Sequence, residues 1–135
     1  MITATKARKR VNRKFTKTHT VTRTDAVLVH IGHRLLNPLN QNIHFGEKKR
    51  MKERFSKAVA QTDRPLAVSL ITFIRWYPPR SKPFDEGDNL NASFKWFRDA
   101  ACEWLGLPND GPACGVAFGY EQHVSDAYGI SVVFR

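Results

Sequence analysis

Asp85, Glu86 and Asp88 stand within four positions of one another in a chain whose net charge is +10. Six of the 12 acidic residues fall between Asp85 and Asp110. Carboxylates crowded in this way repel one another, and something must offset the cost. A divalent cation shared between carboxylates and a phosphate would do so, which makes the stretch a candidate for phosphoryl chemistry. A purely structural use also exists. Asp88 in N-cap position accepts free N–H groups of a helix, and Glu86 lies favourably near the positive end of its dipole. Those uses leave Asp85, Asp110 and Lys95 without a task.

The element that must position these groups is a helix opened by Asp88. Apolar residues recur at Leu90, Phe94, Phe97, Ala101, Trp104 and Leu105, the spacing of one buried stripe. Gly106 and Pro108 supply the stop. Asp88, Ala92, Lys95 and Asp99 share the opposite face. Helical side chains lean toward the N-terminus, so the Lys95 ammonium is expected to reach back toward the acids. Asp99, one turn further on, is expected to tether Lys95 as an i, i+4 partner and not to bind metal.

Glu86-Gly87-Asp88-Asn89-Leu90 resembles the D-x-D-N-L signature of RusA-type Holliday junction resolvases, small dimeric magnesium-dependent endonucleases found mainly in phages and prophages. The similarity runs on through Phe94-Lys95, Arg98-Asp99-Ala100 and Leu105-Gly106-Leu107 to Asn109-Asp110-Gly111-Pro112, the pattern of the phage branch. It covers about residue 68 to the C-terminus, half the chain, and the order of elements fits from Val27 onward. Residue by residue, Asp88 matches the second aspartate of the signature, Glu86 the first, Asp110 the acid of a later D-D pair, and Lys95 the phage-branch lysine. The chain departs from the pattern at Glu86, a glutamate for aspartate, at Asn109, and at Ala92, where the family's usual lysine stands. The resemblance implies magnesium (Mg2+, with Mn2+ as a substitute) held by Glu86, Asp88 and Asp110, and a catalytic Lys95. Asp110 enters that set on the resemblance alone, since Asn-Asp-Gly is also ordinary turn chemistry.

Composition narrows the remaining choices. With 135 residues, 41% hydrophobic and 15 of them aromatic, the chain has one core at most, with or without a tail. No apolar run approaches the ~18 residues of a membrane span, and the basic N-terminus lacks the apolar stretch of a signal peptide. Two cysteines, Cys102 and Cys114, argue against a disulfide framework or a zinc site and suit a reducing compartment, here the cytoplasm of a bacterial host.

Residues 1–24 carry eight Lys or Arg and no acid. Residues 1–25 are therefore expected to form an arm, mobile in isolation, that contacts phosphates through Lys6, Arg8, Lys9, Arg10, Arg13 and Lys14. A strand is expected over residues 26–31. His30-Ile31-Gly32-His33 spells a tetrapeptide of class I aminoacyl-tRNA synthetases, but the chain is too short for such an enzyme and no Rossmann context follows. His30 reads as a strand residue and His33 as a loop residue. A helix is expected over 47–61, with Met51, Phe55, Ala58 and Val59 turned inward. Lys48, Lys49, Arg50, Lys52, Arg54 and Lys57 give it a phosphate-tracking face. Residues 66–76 read as a central strand. The three prolines of residues 78–83 then form a stiff loop, in which Arg80 and Lys82 could hold a phosphate. Trp76 and Tyr77 could equally stack on unpaired bases or cap the core. Strands over 114–122 and 128–134 read as a hairpin about residues 125–129, with His123 in the turn.

The expected fold is a small single α/β domain at residues 26–135: one mixed sheet of about four strands and two helices, ordered strand-helix-strand-helix-hairpin. The expected function is cleavage of four-way DNA junctions by a homodimer, since such a junction needs two symmetric cuts. The alternative is a protein that binds junctions or other nucleic acid without cutting, its RusA-like site degenerate. An RNA-binding module lacks the RRM or KH motif that would support it.

Overall fold

The most apolar run of the chain takes a place between two neighbouring strands. The computed structural model describes residues 19–22, 26–36, 45–84, 89–108 and 110–135. Its strands are His19–Thr22 (β1), Val27–Ile31 (β2), Leu70–Tyr77 (β3), Ala117–Val124 (β4) and Gly129–Phe134 (β5). Its helices are Phe45–Val59 (α1), Asn91–Ser93 (α2) and Lys95–Leu105 (α3), with a short 3-10 turn at Pro112–Cys114. The strands form one sheet in the order β1-β2-β5-β3-β4. β5 is antiparallel to both β2 and β3, and β3 is parallel to β4. β2, β3 and β4 therefore point one way and β5 runs against them. This is the expected α/β class with a mixed sheet.

Three features differ from expectation. The sheet has a fifth strand, β1, inside the segment read as a basic arm; it pairs antiparallel with β2 in the register His19↔His30. Thr20-Val21-Thr22 is β-branched throughout, which suits a strand, but four residues with one aliphatic side chain carry little periodic signal. Further, β4 and β5 do not form a hairpin, because β3 lies between them. The connecting residues 125–128 cross the end of β3, where the Ser125 N–H donates to the Tyr77 carbonyl at 2.8 Å. β3 buries six of its eight residues, so an interior position satisfies it where an edge would not. His123 lies in β4 rather than in a turn, its Nε2 3.0 Å from Glu121 Oε1.

The helices cover one face of the sheet. Met51, Phe55, Ala58 and Val59 of α1 are all buried, as their 3.6-residue spacing requires. The second helical stretch keeps the expected stripe, with Leu90, Phe94, Phe97 and Ala101 buried and Trp104 and Leu105 half-buried. It is nevertheless interrupted at Phe94 (φ −93°, ψ 3°). The cause is local: Ser93 Oγ donates to the Asn89 carbonyl at 2.6 Å, a back-bond that competes with the helical ladder and bends it. Gly106, at φ 75°, ends α3 in the left-handed region. Its N–H donates to Glu103 and the Leu107 N–H to Cys102, which satisfies two terminal carbonyls. Among the described residues no helix is long and apolar enough to cross a membrane.

Two ring clusters tie helices to sheet. Phe55, Trp104 and Phe134 join α1, α3 and β5, with centroids 5.2 to 6.4 Å apart. Phe73, Phe94 and Tyr120 join β3, the helix break and β4, with centroids 5.4 to 6.1 Å apart. On the other face, Ser131 Oγ lies 2.8 Å from Nδ1 of the fully buried His30 and accepts from Trp76 Nε1 at 2.7 Å. Trp76 is half-buried on that face, and Tyr77 is buried beside Arg75. His30 is a strand residue and His33 lies in the bend after it. Gly129 is the residue that makes room for this arrangement, since a Cβ there would sit 2.7 Å from His30 Cε1. Gly129→Ala is expected to cost about 1–3 kcal/mol of stability through overpacking, read by urea unfolding.

Candidate functional site

One turn of α3 presents Lys95, Arg98 and Asp99 together, because residues three and four apart are neighbours on a helix. Lys95 Nζ lies 3.0 Å from Asp99 Oδ1, the expected tether. It also lies 3.2 Å from Asp110 Oδ2, on the connection between α3 and β4. Arg98 donates from Nε to the same Asp110 oxygen at 2.8 Å. Its Nη1 donates to Asn91 Oδ1 at 3.0 Å and to the Tyr120 hydroxyl. Tyr120 is fixed in turn by its stack on Phe73. The Arg98 side chain is only 13% exposed, so the guanidinium works as an internal bracket joining α2, α3, β4 and the Asp110 connection.

The charges reinforce one another. Arg98 and Lys95 hold the Asp110 carboxyl below the usual carboxylate range. Asp99 first, then Asp110, raises Lys95 above its ordinary value. Burial would lower Arg98, but its bonds to Asp110 and Tyr120 outweigh that and leave it raised. A carboxylate held low stabilises the fold above its ordinary range and loses that contribution as pH falls through its native value. The stability difference between the wild type and Asp110→Asn is therefore expected to stay constant around neutrality. It should shrink only in acid, below the ordinary aspartate value of 3.8, which urea unfolding across that range will read.

Of the residues singled out in the sequence, the structure brings together Lys95 and Asp110. Asp85, Glu86, Asp88 and Asn109 lie outside the described residues, as do Lys6, Arg8, Lys9, Arg10, Arg13 and Lys14. Lys95 pairs with Asp99 and Asp110; the acids toward which it was expected to reach lie outside the described residues. Among the described residues no three His, Cys, Asp or Glu side chains gather as a metal set. Asp110 itself suits one ligand position. Both of its bonds fall on Oδ2, and among the described residues Oδ1 accepts none.

The flanks of residues 85–88 are held by Tyr120 and Gln122, alternate residues of β4. Before them, the Phe84 N–H donates to Gln122 Oε1 at 2.9 Å and Gln122 Nε2 donates to the Phe84 carbonyl at 2.7 Å. After them, Asn91 is tied through Arg98 to Tyr120. Tyr120 and Gln122 pair with Phe73 and Arg75 of β3. Arg75 is 1% exposed and lies between the Tyr77 and Phe84 rings, 4.4 and 3.7 Å from their centroids. It donates to Gln122 Oε1 and to the Lys82 carbonyl, each at 3.1 Å.

The α1 cations are less uniform than the sequence implies. Arg50 pairs with Glu47, and Lys52 reaches Glu103 of α3 at 2.8 Å. Arg54 lies 3.7 Å from Met51 Sδ. Among the described residues Lys48, Lys49 and Lys57 form no ion pair, and Arg80 and Lys82 are exposed after β3. Sequence reasoning missed Arg98, Tyr120, Asn91, Arg75 and Gln122 as site residues. Arg98, three positions after Lys95, and Arg75, the one cation inside the apolar run of β3, were the available signals. Compared with known proteins, the chain matches no family model and no curated protein sequence.

Proposed function

We propose that this chain is a magnesium-dependent, structure-selective DNA endonuclease of RusA type that resolves four-way junctions as a homodimer in the cytoplasm of a bacterial host. The observation that supports this reading best is the approach of Lys95 to Asp110 at 3.2 Å. These are two positions 15 residues apart that the resemblance singles out for one site. Glu86, Asp88 and Asp110 would hold the metal, which when bound supplies positive charge at the scissile phosphate and acidifies the attacking water. Lys95 would offset negative charge developing on that phosphate, and Asp99 keeps its ammonium charged and oriented. The basic arm and the free cations of α1 would track duplex phosphates without reading bases.

A second reading, a binding protein that does not cut, draws on the same geometry. Arg98 and Lys95 already compensate Asp110, so that acid has a structural role without metal. A synthetic four-way junction incubated with and without magnesium separates the two. The nuclease reading expects paired symmetric nicks only with the metal. Tight junction binding with no nick in magnesium or manganese would favour the binding-only protein.

A further inference from the structure

We infer that Arg34, Arg80 and Tyr128, backed by the buried Arg75, form a phosphate-binding site at the end of the sheet where β2 and β3 finish. Arg34 follows β2, Arg80 and Ser81 follow β3, and Tyr128 precedes β5, so three separate connections deliver these groups to one place. The Arg34 guanidinium carbon lies 5.2 Å and that of Arg80 5.9 Å from the centre of the Tyr128 ring. Both arginines are exposed, and the ring between them is half-buried. Ser81 stands beside the Tyr128 hydroxyl and also accepts from Arg75 Nη2 at 3.4 Å. Ser81 first, then Arg34, Arg80 and Arg75, hold that hydroxyl below its ordinary value.

Three features point to an anion. First, guanidinium groups gathered around one ring repel each other, and a shared oxyanion removes that cost. Second, among the described residues every hydrogen-bond partner of Arg75 is an uncharged oxygen, and its buried Nε has none. Among the described residues no carboxylate pairs with the Arg75 guanidinium, so an anion nearby would offset the cost of burying that charge. Third, β2 and β3 point the same way with β5 inserted between them, and open α/β sheets take ligands outside the carboxyl ends of their strands. Two planar forks and a hydroxyl suit the oxygens of a phosphate. Residues 80–84 run directly into the acidic stretch, which makes a backbone phosphodiester of the DNA strand the natural source. That choice of source rests on the nuclease reading; the oxyanion chemistry does not.

The test has two arms, each run on the full chain with Arg34→Gln/Arg80→Gln and with Arg64→Gln/Arg135→Gln as a control for general basicity. Thermal unfolding first verifies that both variants fold, which is expected because all four side chains are exposed. In the first arm, inorganic phosphate is titrated while the arginine Nε–H resonances are followed by NMR. Saturable shifts at Arg34 and Arg80 are expected, with about tenfold weaker phosphate binding per guanidinium removed and no change in the control. Non-saturating shifts spread over all surface cations would overturn the site. In the second arm, duplex binding is followed against salt, and the arginine variant should lose roughly 0.9 of slope per lost phosphate contact. Phosphate saturation with an unchanged duplex slope would keep the oxyanion site and overturn the DNA strand as its source. Absence of junction cleavage by the wild type would count against the nuclease reading alone, since neither arm depends on catalysis.

Discussion

Arg98→Ala is expected to cost about 2–4 kcal/mol of stability, far more than a surface ion pair of about 0–1 kcal/mol. Its guanidinium serves three partners at once: Asp110 through Nε, and Asn91 and Tyr120 through Nη1. Removing it leaves half-buried polar groups without their partner, and that uncompensated burial supplies most of the cost. Arg98→Lys tests the geometry apart from the charge. Lysine keeps the positive charge but has no fork, so it can reach only part of the set, and an intermediate loss is expected. Under the nuclease reading, Arg98→Ala also lowers magnesium-dependent cleavage by roughly 100-fold, because Asp110 loses its shorter anchor and a misplaced group is costly. Urea unfolding and a junction assay check the two effects. A stability within about 0.5 kcal/mol of wild type would mean that Arg98 is a solvated side chain and not a bracket.

Phe73→Ala is expected to have the larger effect on folding, about 3–5 kcal/mol. Phe73 is fully buried at the centre of β3, stacks with Phe118 and Tyr120 and meets Phe94 at a tilt. Its loss opens a cavity beneath the helix break and releases the ring that carries the Tyr120 hydroxyl. The melting temperature should fall by about 10 °C or more. Phe73→Leu should recover most of the stability, since volume is nearly restored, but should not restore the Tyr120 stack. Tyr120 fluorescence and the Arg98 resonances would then stay altered in a protein that is otherwise folded. Full recovery of both by leucine would show that ring stacking contributes nothing to the Arg98 bracket.

The sequence made the helices legible because their apolar spacing is itself the packing requirement. Met51, Phe55, Ala58 and Val59 had to face one way, and so did Leu90, Phe94, Phe97 and Ala101. The Lys95–Asp99 tether was legible for the same reason, being set by helix geometry. Strand order was not. The pattern of β3 announces a buried strand but not which neighbours bury it, so the insertion of β3 between β4 and β5 has no local signal. The contacts that depend on that order were equally hidden. Arg98 meets Tyr120, and Arg75 meets Gln122, only because β4 lies beside β3 in one particular register. Lys95 and Asp110 were joined in the sequence by resemblance alone, and their ion pair is a consequence of where the α3–β4 connection returns. β1 was hidden in a segment whose charge outweighed its short β-branched run.

Magnesium-dependent cutting at residues 85–88 is tested by comparing wild type and Asp88→Asn in one assay of four-way-junction cleavage, run with magnesium and alongside junction binding and thermal unfolding. Asparagine caps a helix about as well as aspartate, so stability should change by well under ~1 kcal/mol. It lacks the charge that a magnesium ligand needs, so cleavage should collapse while junction binding survives or tightens. Cleavage by Asp88→Asn at the wild-type rate would mean that the cutting comes from some other part of the molecule.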